Sequence, residues 1–292
     1  MLLLTGATGQ VGSALLGRLL AEDVPVRCLV RDPRRLGARR VRVQIALGDL
    51  ADPPSFRNAM RGVDTVVHLA ASPRDQPRGS IEELVGIATW RMVQAAERTG
   101  AEHFLFLSAL GASTHSPARF LRAKALAEQA VREAGVRSTV LAPSLVYAPG
   151  DRWLTLLERL ALLPAVPVAG AGRAAFQPLW ADDAAACVAA ALRASAGPPH
   201  ERYELAGPQT LTQEAVVRTV LRSLHRRRAL VRVPAPLLAR ALRLLEAAAG
   251  TRAFATWDEA ELLEVPRVSA RGTADAERLG VVPQAMGAVL DA

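Results

Sequence analysis

Thr5-Gly6-Ala7-Thr8-Gly9-Gln10-Val11-Gly12 follows a short apolar run and opens a segment with helical periodicity. In this setting each glycine has its own use. Gly6 permits a tight turn, Gly9 lets the backbone approach a ligand's pyrophosphate, and Gly12 lets the helix pack close to the strand. The free N–H groups of the helix start then face the phosphates. Thr8, Gln10 and Val11 complete the loop and first helical turn, and are expected at the cofactor with the glycines.

Outward from this loop, apolar runs alternate with helical patterns. Strands read over 1–4, 24–31, 41–47, 63–71, 103–108 and 138–146, with helices near 11–21, 53–61, 80–99 and 117–134. The strands are continuous Val/Ile/Leu runs, as expected for parallel strands covered on both faces. Repeated βα units of this kind predict an α/β doubly wound parallel sheet, the Rossmann architecture, over residues 1–150. Beyond Pro149-Gly150 the rhythm changes. A helix over 152–163 leads into a Pro/Gly-rich stretch at 164–172, then a helix at 182–195, a strand at 203–205 and helices near 212–225, 236–249 and 257–264. Residues 151–292 therefore read as a smaller substrate-side lobe, with parts of 174–206 completing the core.

The second strand ends at Val30-Arg31-Asp32, with Arg34 and Arg35 following. An acidic residue here serves the ribose hydroxyl of NAD, whereas arginine accepts the 2′-phosphate of NADP. Arg31 favours NADP(H) over NAD(H); the competing reading has Asp32 on the ribose and the arginines solvated. Asp49 and Leu50, closing the third strand, are candidates for the adenine, although Asp49 also suits a turn or helix cap. Ala70 and Ala71 would let the cofactor lie close to the fourth strand.

Net charge is +8, yet no nucleic-acid motif and no aromatic interleaving accompany it, so nucleic acid is not the expected partner. Lys124 is the single lysine among 36 lysines and arginines, which marks its position. Cys28 and Cys187 lack metal-ligand spacing, and no metal is expected. No secretory leader or membrane-length apolar run is read, which leaves a cytoplasmic protein as the expectation. Seven arginines and no acid occupy 222–243, and Leu238, Leu242, Leu245 and Ala249 form an apolar stripe. That stripe suits packing on the core, with peripheral membrane or protein contact as the alternative.

The glycine loop, Gly48-Asp49-Leu50, His68-Leu69-Ala70-Ala71, Ser108-Ala109-Leu110-Gly111, Lys124 to Glu128, Leu141-Ala142-Pro143-Ser144, residues 177–184, residues 203–208 and Leu211-Thr212 together carry a resemblance. They resemble the atypical short-chain dehydrogenases/reductases, in the group containing the nucleotide-binding accessory subunit of respiratory complex I and its bacterial relatives. The likeness covers residues 1 to about 215. It implies that Pro143 touches the cofactor and that a Ser, Tyr and Lys act together. Ser108 would hold the substrate oxygen, and Lys124 would hold the nicotinamide ribose and lower the tyrosine's pKa. Phe120 occupies the tyrosine position, and Ala142 stands where relatives often carry arginine. Phenylalanine keeps the ring but cannot donate a proton. Ser108 also suits a plain strand end, His115 is a candidate replacement acid or an exposed loop residue, and Tyr147 suits either the pocket or packing. Two functions stay open. One is an NADP(H)-dependent oxidoreductase acting on an unidentified small molecule, with a quinone or activated alkene suited to altered chemistry. The other is a catalytically impaired NADP(H)-binding sensor or accessory protein. A sugar-nucleotide epimerase fits less well, because that chemistry also uses the tyrosine.

Overall fold

Seven parallel strands form one sheet in the computed structural model, which describes residues 1–194, 198–250 and 253–291. They are β1 (Leu2–Thr5), β2 (Val26–Val30), β3 (Gln44–Leu47), β4 (Thr65–His68), β5 (His103–Leu107), β6 (Arg137–Pro143) and β7 (His200–Leu205). Their order is β7-β6-β5-β4-β1-β2-β3. The chain winds outward from β1 to β3, then crosses back so that β4 pairs with the free side of β1. That reversal opens a crevice beyond the carboxyl ends of β1 and β4, where Thr5 stands opposite His68.

Alternation along the strands supplies both faces. Leu2 and Leu4 point into a cluster with Leu15, Leu16 and Leu19 of α1 (Gln10–Ala21) and Ala184, Ala185 and Val188 further along the chain. Leu3, between them, joins the opposite cluster with Met92, Val93 and Ala96 of α2 (Ala88–Thr99) and Ala127 and Val131 of α3 (Arg119–Arg132). Both faces being dry explains the continuous apolar runs. β3 departs from that expectation. The segment before it is a 3-10 stretch, Pro33–Arg42, in which Val41 is 83% exposed, so the strand begins at Gln44, and as the sheet edge it leaves Leu47 64% exposed.

Past β6 come α4 (Arg152–Leu160), α5 (Ala181–Arg193), α6 (Gln213–Ser223), α7 (Ala235–Ala249) and α8 (Trp257–Leu262). Residue 195, the expected end of the α5 helix, lies outside the described residues. A third apolar cluster joins Leu145, Tyr147, Leu154, Phe176, Val217 and Met286. The Pro/Gly-rich 164–172 stretch is not irregular: Ala165–Ala169 pairs in parallel with Ala229–Val233, a strand inside the arginine-rich region. Of the apolar stripe on α7, Leu242 is buried, Leu238, Leu245 and Ala249 are half-buried, and Leu237 and Leu244 face outward. Among the described residues no helix is long and apolar enough to cross a membrane.

Candidate functional site

The glycine loop is fixed by contacts that only glycine tolerates. Gly6 has φ +74°, and a Cβ there would lie 2.7 Å from the Ala70 nitrogen. A Cβ on Gly12 would stand 2.0 Å from the Gly6 carbonyl oxygen, so α1 meets the loop backbone to backbone. Gly9 donates to the same oxygen at 2.9 Å and caps α1 without a side chain. No acidic residue sits in the first turn of α1. The positive end of the helix and its free N–H groups are thus presented to an anion.

A cleft of about 520 Å³ runs along this loop. It is lined by Gly6, Thr8, Gly9, Arg31, Asp49, Leu50, Ala70 and Ala71, so most of the residues expected at the cofactor share one wall. Of the remaining loop positions, Val11 is buried in the core beneath the sheet, Gly12 packs against Gly6, and Gln10 is exposed on the first turn of α1. Ser72, Gln76 and Leu84 also line the cleft; no motif marked them, although Ser72 directly continues Ala70-Ala71.

Arg31, Asp32 and Arg35 stand together at the β2 end of the cleft. The Asp32 carboxylate accepts the Arg34 N–H at 2.9 Å and caps the 3-10 stretch, which ties it locally while both arginines remain exposed. Asp49 does two things at once. It lines the cleft, and its Oδ1 accepts the Ala51 N–H at 3.1 Å as a turn aspartate would.

Behind the wall runs a buried chain of hydrogen bonds. The Ala70 N–H donates to Thr5 Oγ1 at 3.3 Å, and Thr5 Oγ1 lies 2.8 Å from His68 Nδ1. His68 Nε2 lies 3.1 Å from Thr89 Oγ1, which donates to the Val85 carbonyl at 2.6 Å. Because the Thr89 proton is committed to Val85, Thr89 accepts from His68; the imidazole therefore carries its proton on Nε2 and accepts from Thr5. Burial, with Lys124 nearby, holds its pKa down to about 3 and keeps it neutral. His68 thus fixes the turn that carries Ala70 and Ala71.

Lys124 is 2% exposed and donates from Nζ to the Leu107 carbonyl at 2.5 Å, at the end of β5. The rings against it are Phe106, 4.6 Å from Nζ to centroid, and Phe120, at 5.5 Å. Burial lowers the amine to about 7, against a smaller upward pull from Glu128. Phe120 packs between two small apolar groups, one with Ile81, Val85 and Ala123 and one with Ala109, Leu121, Leu262 and Val265. Ser108, next along from Leu107, is 4% exposed, and its Oγ has no hydrogen-bond partner among the described residues. Ser108, Phe120, Lys124 and Pro143 lie past the end of the lined cleft, at or against the carboxyl ends of β5 and β6. His115 is exposed in its loop. Tyr147 is buried in the third cluster, where burial and Asp183 push its phenol upward, and Tyr203 donates to Glu201 at 2.8 Å. Cys28 and Cys187 are free and buried, their thiols pushed up to about 12.

The sheet order, the glycine loop and the cleft at the strand reversal define a Rossmann-type dinucleotide-binding protein. A family profile for NAD(P)H-binding proteins matches residues 6–153, and the chain belongs to that family, in the manner of the atypical short-chain dehydrogenases/reductases. It is 33% identical to a (4-alkanoyl-5-oxo-2,5-dihydrofuran-3-yl)methyl phosphate reductase of Streptomyces griseus, over 73% of this chain and 70% of that one. It is 30% identical to the mitochondrial NADH dehydrogenase [ubiquinone] 1 alpha subcomplex subunit 9 of Arabidopsis thaliana, over 80% of this chain but only 60% of the relative's length. In fold it matches triphenylmethane reductase of Citrobacter sp. complexed with NADP(H), with a TM-score of 0.79, 18% identity and 99% of each chain covered.

Proposed function

We propose that the chain is an NADPH-dependent reductase whose acceptor is a quinone or an activated alkene. One observation carries this reading: the buried amine of Lys124 stands against the ring of Phe120, where the short-chain pattern calls for a phenol. At that position no hydroxyl can hand a proton to a forming alkoxide. The backbone cradle of Gly6, Gly9 and Gly12 and the arginine-lined rim fit a dinucleotide, and Arg31 and Arg35 favour one with a 2′-phosphate. NADPH supplies a hydride when bound. An acceptor whose extra electron pair spreads over conjugated carbonyls needs no proton at that instant and can take one from water. The unpartnered Ser108 hydroxyl can donate to the acceptor's carbonyl oxygen. The name of the Streptomyces relative describes an unsaturated lactone, an acceptor of this kind.

A second reading is favoured by the same missing phenol: an NADP(H)-binding accessory protein, as the relationship to a respiratory subunit suggests. NADPH and NADH oxidation by the wild type and Phe120→Tyr, with a naphthoquinone, a conjugated enal and a simple ketone, separates the two. The wild type is expected to reduce the quinone or enal, faster with NADPH. The ketone should require Phe120→Tyr, since a general acid contributes about 10²–10⁴ in rate. A wild type inert towards all three acceptors would overturn the reductase in favour of the accessory protein.

A further inference from the structure

Arg267 belongs to the C-terminal segment that follows α8, and it is 5% exposed. Its guanidinium lies over the ring of Phe176, 5.0 Å from the centroid. Among the described residues Nε and Nη2 have no hydrogen-bond partner and no carboxylate pairs with the guanidinium. Other arginines of the chain show the contrast: Arg74, Arg119 and Arg202 each meet acidic partners. A buried cation without a counter-charge is costly, and proteins rarely leave one unpaired.

The backbone around it is firmly held. The Arg267 N–H donates to the Ala175 carbonyl at 2.9 Å, and Ser144 Oγ donates to the Arg267 carbonyl at 2.6 Å. Two residues on, the Ser269 N–H donates to Gln177 Oε1 at 2.7 Å. Ser144 directly follows the last residue of β6, and a Cβ built on Gly111, in the loop after β5, would lie 3.5 Å from Arg267 Cγ. The backbone and the Cγ of Arg267 therefore stand at the carboxyl ends of β5 and β6, the same end that carries Ser108. Val265, two residues before it, packs in the apolar group that holds Phe120.

We propose that Arg267 forms an anion subsite on the substrate side of the site, taking a carboxylate or phosphate group of the acceptor in the planar fork of its guanidinium. The word substrate rests on the reductase reading above; the anion site itself rests on the geometry. Oxyanions of both kinds match the donor spacing of arginine in a bidentate contact. Burial lowers the guanidinium to about 10, so it still carries its charge at neutral pH. The orphaned donors and the missing counter-charge then have one explanation, because the ligand brings both. The acceptor of this reductase is accordingly an acidic small molecule, with its anionic group at Arg267 and its carbonyl oxygen towards Ser108.

The test uses the full chain saturated with NADPH, so that the cofactor cleft is closed to other anions. Thermal unfolding midpoints are read with phenyl phosphate, benzoate or benzyl alcohol for the wild type and Arg267→Met. The wild type should be stabilised by one or both anions and not by the neutral alcohol, and the stronger anion identifies the group. Arg267→Met should bind that anion more weakly by on the order of tenfold to a hundredfold. Without anion its midpoint should equal or exceed the wild type's, because an unpaired charge has been removed. An equal anion response in both proteins, or none in the NADPH-bound wild type, overturns the subsite and leaves the reductase reading standing. Failure of the wild type to bind NADPH would instead strike the dinucleotide reading. Should Arg267→Met not fold, Arg267→Lys replaces it; that variant keeps the charge without the fork and must bind the anion more weakly, and undiminished binding overturns the proposal.

Discussion

Lys124 has a charge the fold does not favour. In the unfolded chain its amine titrates near ~10.4, whereas burial brings it to about 7 in the folded protein. Between those values the unfolded state binds more protons, so this group makes stability rise with pH across the window. Below about 7 the burial penalty stands in full. Lys124→Met should therefore gain on the wild type as pH falls from about 10 to about 7, by on the order of 2–4 kcal/mol. The lost hydrogen bond to Leu107 shifts the comparison by a constant and leaves its slope. His68 titrates lower, between about 3 and its ordinary value of 6.5, and does not blur the window. Urea midpoints of both proteins across this range test it, and a pH-independent difference would show that no buried amine titrates there. Lys124 was legible in the sequence because it is the only lysine. Arg267 was not, for the mirror-image reason: in a chain that uses arginine everywhere, one more arginine carries no signal, and its isolation arises only when residues 144, 176 and 267 meet.

Among the elements, the glycine loop shows how far spacing reaches. The three glycines are not equivalent. A methyl group at position 12 must move the backbone of Gly6, whereas at position 9 it meets one oxygen at 3.3 Å. Gly12→Ala should cost on the order of 1–3 kcal/mol of stability and sharply weaken NADPH binding. Gly9→Ala should leave the fold nearly unchanged, within ~1 kcal/mol, and weaken the cofactor alone. Thermal midpoints and NADPH titrations of the two variants check the contrast, and equal destabilisation would mean that α1 does not pack on the loop as described. The central strands were legible because each is a continuous apolar run buried on both faces. The pairing of Ala165–Ala169 with Ala229–Val233 was not, since each strand gains its partner from a segment some sixty residues away. β3 misled for a related reason: an edge strand keeps the composition of a buried one without its cover.

At the scale of the whole molecule, the cleft wall is tied to the C-terminal segment by ion pairs that no local pattern announces. The motifs that carry the family resemblance stop near residue 215, and the partners in question lie beyond them. Arg74, 5% exposed, grips both oxygens of Glu259 at 2.6 and 2.7 Å and the Ala253 carbonyl at 3.0 Å. Arg152 donates to the same carbonyl at 2.6 Å. Arg119, on the first turn of α3, joins Asp75 and Glu82 to Asp258. Residues 72–76, which supply Ser72 and Gln76 to the cleft, are thereby fastened to α8 through their middle. Exposed ion pairs contribute little, but Arg74 is buried, and removing its carboxylate strands the charge. Glu259→Ala also breaks the capping box with Thr256, so it should cost on the order of 3 kcal/mol. With the fastening gone, the cleft wall should loosen, raising the Kd for NADPH and speeding proteolysis around residues 253–262. Arg119→Ala, whose ion pairs are more exposed, should cost less and shift NADPH affinity less. Chemical denaturation and NADPH titration of both variants decide the matter: an unchanged cofactor affinity in Glu259→Ala would mean that the C-terminal segment merely rests against the wall and does not hold it.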